Sequence, residues 1–297
     1  MVISMRMCKT RFVPLRLSSI RESTPVLFLT ILGGLAIGLL GGLLGVGGGV
    51  FWVPFLVLVV GLSPLEAVGI SLFCVIGTSI AGSQKGVEEE RTHVPLALHL
   101  EPLMVLGAVG SSVLAHRVSD ATLLTGFALL LMVIAVVFFV VGRPAHVKGT
   151  HEAATPSWRQ GRLQCPEEGT VDYVVQRPFR LMTFVFGTGC ATGFFGIGGG
   201  VLNVPWMTLM SKVPLRAAAA TSTFTMAMTG AAASMVHFAH GSIAAEYVAA
   251  ALLGVLPGGR LGERLLGTLP EKWIRWIFSS LLLATGSMTL LKAVGWL

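Results

Sequence analysis

The chain has 297 residues, 54% of them hydrophobic and 12% charged, with a mean hydropathy of +0.80 and 37 glycines against 2 tyrosines. A soluble globular chain is about 25% charged, so this composition excludes disorder, collagen, a disulfide scaffold and an ordinary cytosolic enzyme, and leaves a polytopic membrane protein. The net charge of +7 lies largely in basic clusters beside apolar runs, a placement that sets membrane orientation and argues against nucleic-acid binding.

Residues 1–25 form a basic N-terminal extension carrying Arg6, Lys9, Arg11, Arg16 and Arg21. The apolar run that follows is too long and too rich in glycine for a signal peptide, and no A-x-A site follows it, so it reads as an uncleaved first span, 26–44. From Ser23 to Leu65 no Asp, Glu, Lys, Arg or His occurs. As one helix this stretch would be roughly 65 Å long, about twice a bilayer core. Gly45-Val-Gly47-Gly48-Gly49 interrupts it, and consecutive glycines remove the constraints that favour a helix, so a break with a short second segment is expected there. Further spans are expected at 65–83, with Ser71, Thr78 and Ser79, at 94–115, with His99 and Glu101, and at 121–142. The stretch 143–180 is polar and rich in Pro, Gly, Arg and Glu, and reads as a central loop.

The second half repeats this order. Span 181–195 runs into Gly196-Ile-Gly198-Gly199-Gly200, followed by Asn203 and Pro205. Spans follow at 217–238, at 243–259 and at 273–291, the first carrying Thr221, Ser222, Thr223, Thr225, Thr229 and His237. Gly45, Gly47, Gly48, Gly49 and Pro54 align with Gly196, Gly198, Gly199, Gly200 and Pro205 at a constant offset of 151, and Ser71 aligns with Ser222. The expected fold is therefore an all-α polytopic membrane protein of two homologous four-helix repeats, each with a Gly-broken first helix, spanning 26–142 and 181–297. If each broken stretch crosses once, both termini and the central loop share a side that holds 14 of the 21 Lys and Arg. If each doubles back, the halves are inverted and the central-loop side alone holds 14. The basic residues before the first span favour cytoplasmic termini, while the frequency of inverted repeats in transporters favours the other arrangement.

Matched helix breaks in two halves are the best sequence pointer to a transport site. A break at membrane depth frees backbone groups, and the half-helix after it aims unpaired N–H groups and its positive dipole end at the break. Two such ends suit a small anion. Helix packing explains the GxxxG spacing of Gly38, Gly42, Gly189 and Gly193, but explains the duplicated Gly-Gly-Gly poorly. The candidate substrate-binding residues are thus Gly45, Gly47, Gly48, Gly49, Ser71, Gly196, Gly198, Gly199, Gly200, Asn203, Thr221 and Ser222, with Pro54 and Pro205 structural. Hydroxyls in spans also bond back to their own helix. Glu101 and His237 are candidates for coupling transport to protons, because ionisable residues inside spans are functional by default; snorkelling near span ends is the plainer account. No GxxxxGK[ST], HExxH, CxxC or GxSxG occurs, so no catalytic residue, metal or cofactor is assigned; Ser234 and His237 are the nearest approach to a nucleophile and base.

The paired Gly-x-Gly-Gly-Gly, each with Pro five residues on, in a four-plus-four chain, resembles the sulfite exporter TauE/SafE family of membrane transporters from about Leu32 to Leu291. The resemblance carries onto the ten motif residues just aligned and touches Ser71 and the Thr221–Ser222 pair. It implies export of a sulfur-containing anion such as sulfite or a sulfonate. The N-terminal extension and the Arg-bearing central loop look less typical of the family. The leading expectation is a multi-pass plasma-membrane secondary transporter whose partners are a small anionic substrate and the lipid bilayer. An intramembrane enzyme and a membrane scaffold without transport are the alternatives.

Overall fold

The computed structural model describes residues 20–44, 47–140, 156–165, 169–265 and 271–295. Among them are ten α-helices: α1 Ile20–Leu44, α2 Gly49–Phe55, α3 Pro64–Glu88, α4 Val94–Ala115, α5 Asp120–Val140, α6 Pro178–Phe195, α7 Gly200–Leu209, α8 Leu215–Ala239, α9 Ala245–Leu265 and α10 Glu271–Ala293. A π-helical turn, Leu56–Val60, extends α2. Three helical stretches are long and apolar enough to cross a membrane, Thr24–Gly42, Pro64–Glu88 and Val94–Ala115, and shorter apolar stretches cover Gly49–Val60 and Asp120–Val136.

Helix starts follow local chemistry. At α3 the Ser63 N–H and hydroxyl donate to Glu66 Oε2 at 3.1 and 2.8 Å, and the Glu66 N–H returns to Ser63 Oγ at 3.4 Å. This is a reciprocal capping box, with Pro64 at the first helical position, where its missing N–H costs nothing. Both expected breaks are present. Gly47 and Gly48 lie between α1 and α2 at φ 75° and 70°, and Gly196, Gly198 and Gly199 lie between α6 and α7 at φ 69°, 71° and 79°. A residue with a Cβ pays roughly 1–2 kcal/mol to adopt that left-handed backbone, which is why glycine stands at these turns. Gly45 lies outside the described residues.

The direction taken after each break is the main structural finding. Gly48 sits against Ile37 and Gly41 of α1, and the Phe55 ring covers Gly33, so α2 runs back along α1 rather than continuing across. Likewise Gly199 faces Thr192 and Thr188 of α6, so α7 begins by returning along α6.

The main packing joins the first half of the chain to the second: α1 lies on α9, α4 on α6, α3 on α8 and α5 on α10. Glycine permits the closest of these approaches. In α1–α9, Gly34 and Gly38 meet the backbone of Ala251–Gly259, while Gly254 and Gly258 meet that of Ile31 and Leu35. In α4–α6, Gly189 meets Met104 and Gly193 meets the Ala108 carbonyl. Such small-residue seams let helix backbones touch and gain dispersion contacts where lipid offers no hydrophobic drive. Phe28, Leu106, Val133, Met235 and Leu253 face outward and more than half exposed, as a lipid-facing belt requires.

The central stretch departs from the all-α expectation. It contains an antiparallel hairpin of β1 Gln160–Cys165 and β2 Gly169–Val174. The local pattern alternates: Leu163, Tyr173 and Val175 are buried, while Arg162 and Asp172 pair on the outer face at 3.0 Å. A period of two with one wet face selects a strand over a loop or helix. The hairpin docks at one end of the bundle, beside the start of α4, the end of α7 and the start of α8. The opposite end gathers the end of α4, the end of α8 and the residues leading into α9.

Candidate functional site

The two breaks meet. A Cβ built on Gly49 would lie 2.7 Å from the Gly196 carbonyl oxygen and 2.9 Å from the Ile197 carbonyl carbon. Helices α3 and α8 hold this junction from either side. The Ser71 hydroxyl, on α3, lies 2.7 Å from the Gly196 oxygen and 3.2 Å from the Gly49 oxygen, so one side chain ties the two breaks together. Two turns further along α3, the Thr78 hydroxyl reaches the Gly47 oxygen at 2.9 Å, and also the Cys74 and Val75 carbonyls of its own helix. Val75 and Met226 fill the space that the missing side chains leave, Val75 against Gly49 and Gly198, Met226 against Gly47 and Gly198. The Gly48 carbonyl accepts from Phe51 and Trp52, and the Gly199 carbonyl from Leu202 and Asn203, so each short helix starts at its last left-handed glycine. Gly200 is the first residue of α7 and is buried. Pro54 lies inside α2 and Pro205 inside α7, each in the short returning segment.

Beside the junction lies a group of buried polar atoms. Asn203 is fully buried; its amide Nδ2 donates to Met104 Sδ at 3.3 Å, and its Oδ1 has no partner. Ser222 is also fully buried, and its hydroxyl has no partner. Thr221 is occupied, accepting the His93 N–H at 2.9 Å. Buried polar atoms in folded proteins are almost always paired, and an unpaired one costs about 1–3 kcal/mol.

Glu101 is 7% exposed and accepts the Thr229 hydroxyl at 2.7 Å, with Oε2 unpaired. It lies seven residues into α4, about 10 Å along the helix axis, and one turn before Met104, the partner of Asn203. Packing against α8 replaces the snorkelling geometry that its sequence position suggested.

His237 is fully buried at the other end of the bundle. Its Nε2–H donates to the Gly193 carbonyl at 3.2 Å, a carbonyl that the Ser112 hydroxyl also reaches at 3.3 Å. The His237 ring centroid is 4.8 Å from that of His116, which stacks at 4.1 Å on His240. His116 Nδ1 faces the Ser112 carbonyl at 2.8 Å and His240 Nδ1 the Val236 carbonyl at 2.8 Å. A carbonyl only accepts, so each of those nitrogens carries the proton. His116 Nε2 pairs with the Ser242 hydroxyl at 3.1 Å. Ser234 donates to the Ala231 carbonyl instead of meeting His237, whose Nδ1 has no partner, so the two do not form a nucleophile–base pair. Among the described residues no three His, Cys, Asp or Glu side chains are placed to hold a metal ion.

Sequence reasoning missed several neighbours of this region. Met226 and Val75 look like ordinary span residues, and nothing in their spacing marks them as fillers of the glycine gap. His116 stands alone after the third span and joins the other histidines only through folding. His93 and Tyr173 had a visible signal, the alternation around Tyr173 in a stretch otherwise read as a loop. Burial lowers the His93 pKa from 6.5 to about 4, against the smaller raising effect of the Gln160 and Trp158 backbone, so His93 is a neutral imidazole near neutral pH.

Comparison with known proteins covers nearly the whole chain. A family model described as "Sulfite exporter TauE/SafE" matches residues 30–289. "Probable membrane transporter protein YunE" of Bacillus subtilis is 24% identical over 272 residues, 88% of this chain and 96% of the relative. A "Probable membrane transporter protein" of Xylella fastidiosa is 28% identical over 248 residues, 80% of this chain and 84% of the relative. A relative from Methanocaldococcus jannaschii, "Probable membrane transporter protein MJ0441", is 24% identical over 277 residues, 89% and 95% of the two chains. No solved structure matches.

Proposed function

The chain belongs to the sulfite exporter TauE/SafE family, and on that premise we propose that it is a plasma-membrane secondary transporter exporting a small anion, a sulfur oxyanion or organosulfonate such as sulfite. The anion binds where the two glycine breaks meet, and the halves rock about that point to give alternating access. The observation that carries this reading is the contact of Gly49 with the Gly196 carbonyl, with the unpaired Ser222 hydroxyl one turn before Met226, the α8 residue that packs against Gly47 and Gly198. Helices α2 and α7 both start beside this junction, and in this reading their first-turn N–H groups and positive dipole ends serve the anion. An oxyanion can accept from those N–H groups and from the Ser222 hydroxyl. Of the candidate residues, Ser71 and Thr221 act through the backbone they hold, Ser222 is the side chain left to donate to the anion, and the free Asn203 Oδ1, an acceptor, can meet only a protonated group of the substrate.

In this reading residues 26–142 and 181–297 are two repeats of inverted orientation. The doubling back of α2 along α1 and of α7 along α6 supports it, because three full crossings then remain in each half. The pairing of α1 with α9 and of α4 with α6, first helix of one half on third helix of the other, supports it as well. The central segment and the termini then lie on opposite faces. In that arrangement the central-segment face holds 14 of the 21 Lys and Arg, and the terminal face holds 7, the five before the first span included. An excess of Lys and Arg marks the cytoplasmic side, so the central segment is cytoplasmic and export proceeds away from it.

Glu101 supplies the coupling proton site. A carboxylate near an anion site opposes binding when ionised and permits it when protonated, so anion and proton move together; His237 takes the second proton position near the opposite exit. The test is flux of labelled sulfite from proteoliposomes, compared with sulfate, thiosulfate, a sulfonate and a non-sulfur anion. Flux of one sulfur anion that falls to background in the Gly48→Leu, Gly199→Leu double variant supports the reading; undiminished flux in that variant overturns the site.

A further inference from the structure

We propose that the β1–β2 hairpin is the cytoplasmic closure of this site, latched by Tyr173 on His93 and felt inside through Thr221. The proposal rests on the transport reading for the identity of the site, while the closure itself is testable without transport.

The hairpin is built to dock. Gly161 stands directly across the ladder from Tyr173, and with no side chain there the ring folds over it. Tyr173 is 2% exposed and belongs, with Leu163 and Val175, to one apolar cluster with Leu96, Leu100 and Leu181. The opposite face keeps the Arg162–Asp172 pair in water. One face of the hairpin is thus committed to the bundle and the other to solvent.

Its fastenings join the two halves of the chain. At the start of α4, in the first half, the Tyr173 hydroxyl pairs with His93 Nδ1 at 3.2 Å with the rings edge to face, and Trp158 stacks on His99 at 4.6 Å. On the second half, the Gln176 N–H donates to the Ser211 carbonyl just after α7. His93 itself crosses between them, its N–H held by Thr221 of α8 at 2.9 Å. Opening this end by moving α4 away from α7 and α8 therefore requires the hairpin to let go on one side. The cluster under it includes Met104, the sulfur partner of Asn203, so the docked hairpin rests on the shell of the site. Tyr173 and His93 are positioning residues: Tyr173 holds His93, and the His93 N–H holds Thr221, the residue before Ser222 on α8.

The experiment measures access to Ser222 in the purified full-length chain. In a background with Cys8, Cys165 and Cys190 replaced by Ser and Cys74 by Ala, Ser222→Cys is labelled with a charged maleimide, and Ser119→Cys serves as a control at the opposite end. The Ser222 hydroxyl makes no hydrogen bond, so replacing the side chain breaks none. Gly161→Val places a side chain where the Tyr173 ring lies, and Tyr173→Phe removes only the hydroxyl. Trypsin cleavage at Arg162 reports whether the hairpin has undocked. The expected result is labelling of Ser222→Cys about tenfold faster with Gly161→Val, a smaller rise with Tyr173→Phe, and an unchanged control, as local opening of one unit predicts. Faster trypsin cleavage with unchanged labelling overturns the closure. Unchanged cleavage in both variants overturns the latch. Absence of anion flux in the unmodified protein, with the labelling difference intact, sinks the transport reading and supports the closure.

Discussion

Gly49→Ala isolates the contact between the two breaks from the backbone strain that complicates the other motif glycines. Gly49 opens α2 and is absent from the positive-φ residues, so an Ala there meets no left-handed penalty. Its methyl instead meets the Gly196 oxygen at 2.7 Å and Val75 Cγ2 at 2.7 Å, where ordinary contact begins at 3.4 Å. The breaks must then part by about 0.7 Å, and overpacking of that kind costs about 1–3 kcal/mol. A protein stable by about 5–15 kcal/mol survives this, so the variant inserts and folds. Displacing two sets of N–H donors from one anion weakens charge-assisted bonds worth about 1.5–3 kcal/mol each, which is on the order of tenfold or more in flux at subsaturating substrate. The assay pairs thermal unfolding in detergent with sulfite flux in proteoliposomes. Val75→Ala added to Gly49→Ala relieves one clash but not the Gly196 contact, so stability recovers in part and flux does not. Gly110→Ala and Gly187→Ala, with nothing within 4 Å, are the neutral controls. Wild-type stability together with wild-type flux in Gly49→Ala would refute the reasoning, because the breaks could not then be in contact.

Further outcomes follow from other parts of the site. Asn203→Leu removes a buried unpaired oxygen at similar volume, so unfolding stability holds or rises by about 1 kcal/mol while sulfite flux falls; a parallel fall in stability would mark Asn203 as structural. Glu101→Gln keeps an acceptor for Thr229 and removes the titrating group, so flux persists and loses its dependence on the proton gradient, read with an internal pH dye. The hairpin weakens in acid. The docked-state pKa of His93, about 4, lies below its ordinary 6.5, so its contribution is complete above pH 6.5 and is lost as pH falls toward 4. The full span is about 3 kcal/mol. Trypsin cleavage at Arg162 should therefore quicken between pH 6.5 and 5 in the wild type, with a flatter profile in His93→Gln.

The helical layout was legible to within a few residues. Val94–Ala115 coincides with its expected span, and the others differ by up to six residues at their ends, because hydropathy over a bilayer-length window reports helix burial directly. The glycine breaks were legible too, since Gly-Gly-Gly in a run free of ionisable residues admits few other structures. The direction of the chain after each break was not. Gly47 and Gly48 permit left-handed backbone, but whether the sum of those turns sends Phe55 onward or back over Gly33 depends on what packs against it. Two aligned candidate hydroxyls differ in their surroundings for the same reason. Ser71 and Ser222 align in sequence, yet Ser71 is consumed by the Gly49 and Gly196 carbonyls while Ser222 is left unpaired. The hairpin was hidden because its alternation spans only a few residues, within a stretch whose charge and proline content marked it as a loop. The histidine stack was invisible because His116 and His237 sit 121 positions apart and meet only when α4 and α8 pack.

Ligand-dependent thermal stabilisation tests the central claim most directly, because it asks whether an anion binds at the junction without requiring a direction or a coupling ion. A ligand at about 100 times its Kd stabilises the folded state by about 2.7 kcal/mol. Sulfite or a related sulfur anion should raise the unfolding temperature of the wild-type protein by several degrees and leave the Gly48→Leu, Gly199→Leu variant unmoved. Equal stabilisation of both proteins, or no response of the wild type to any sulfur anion, would contradict it.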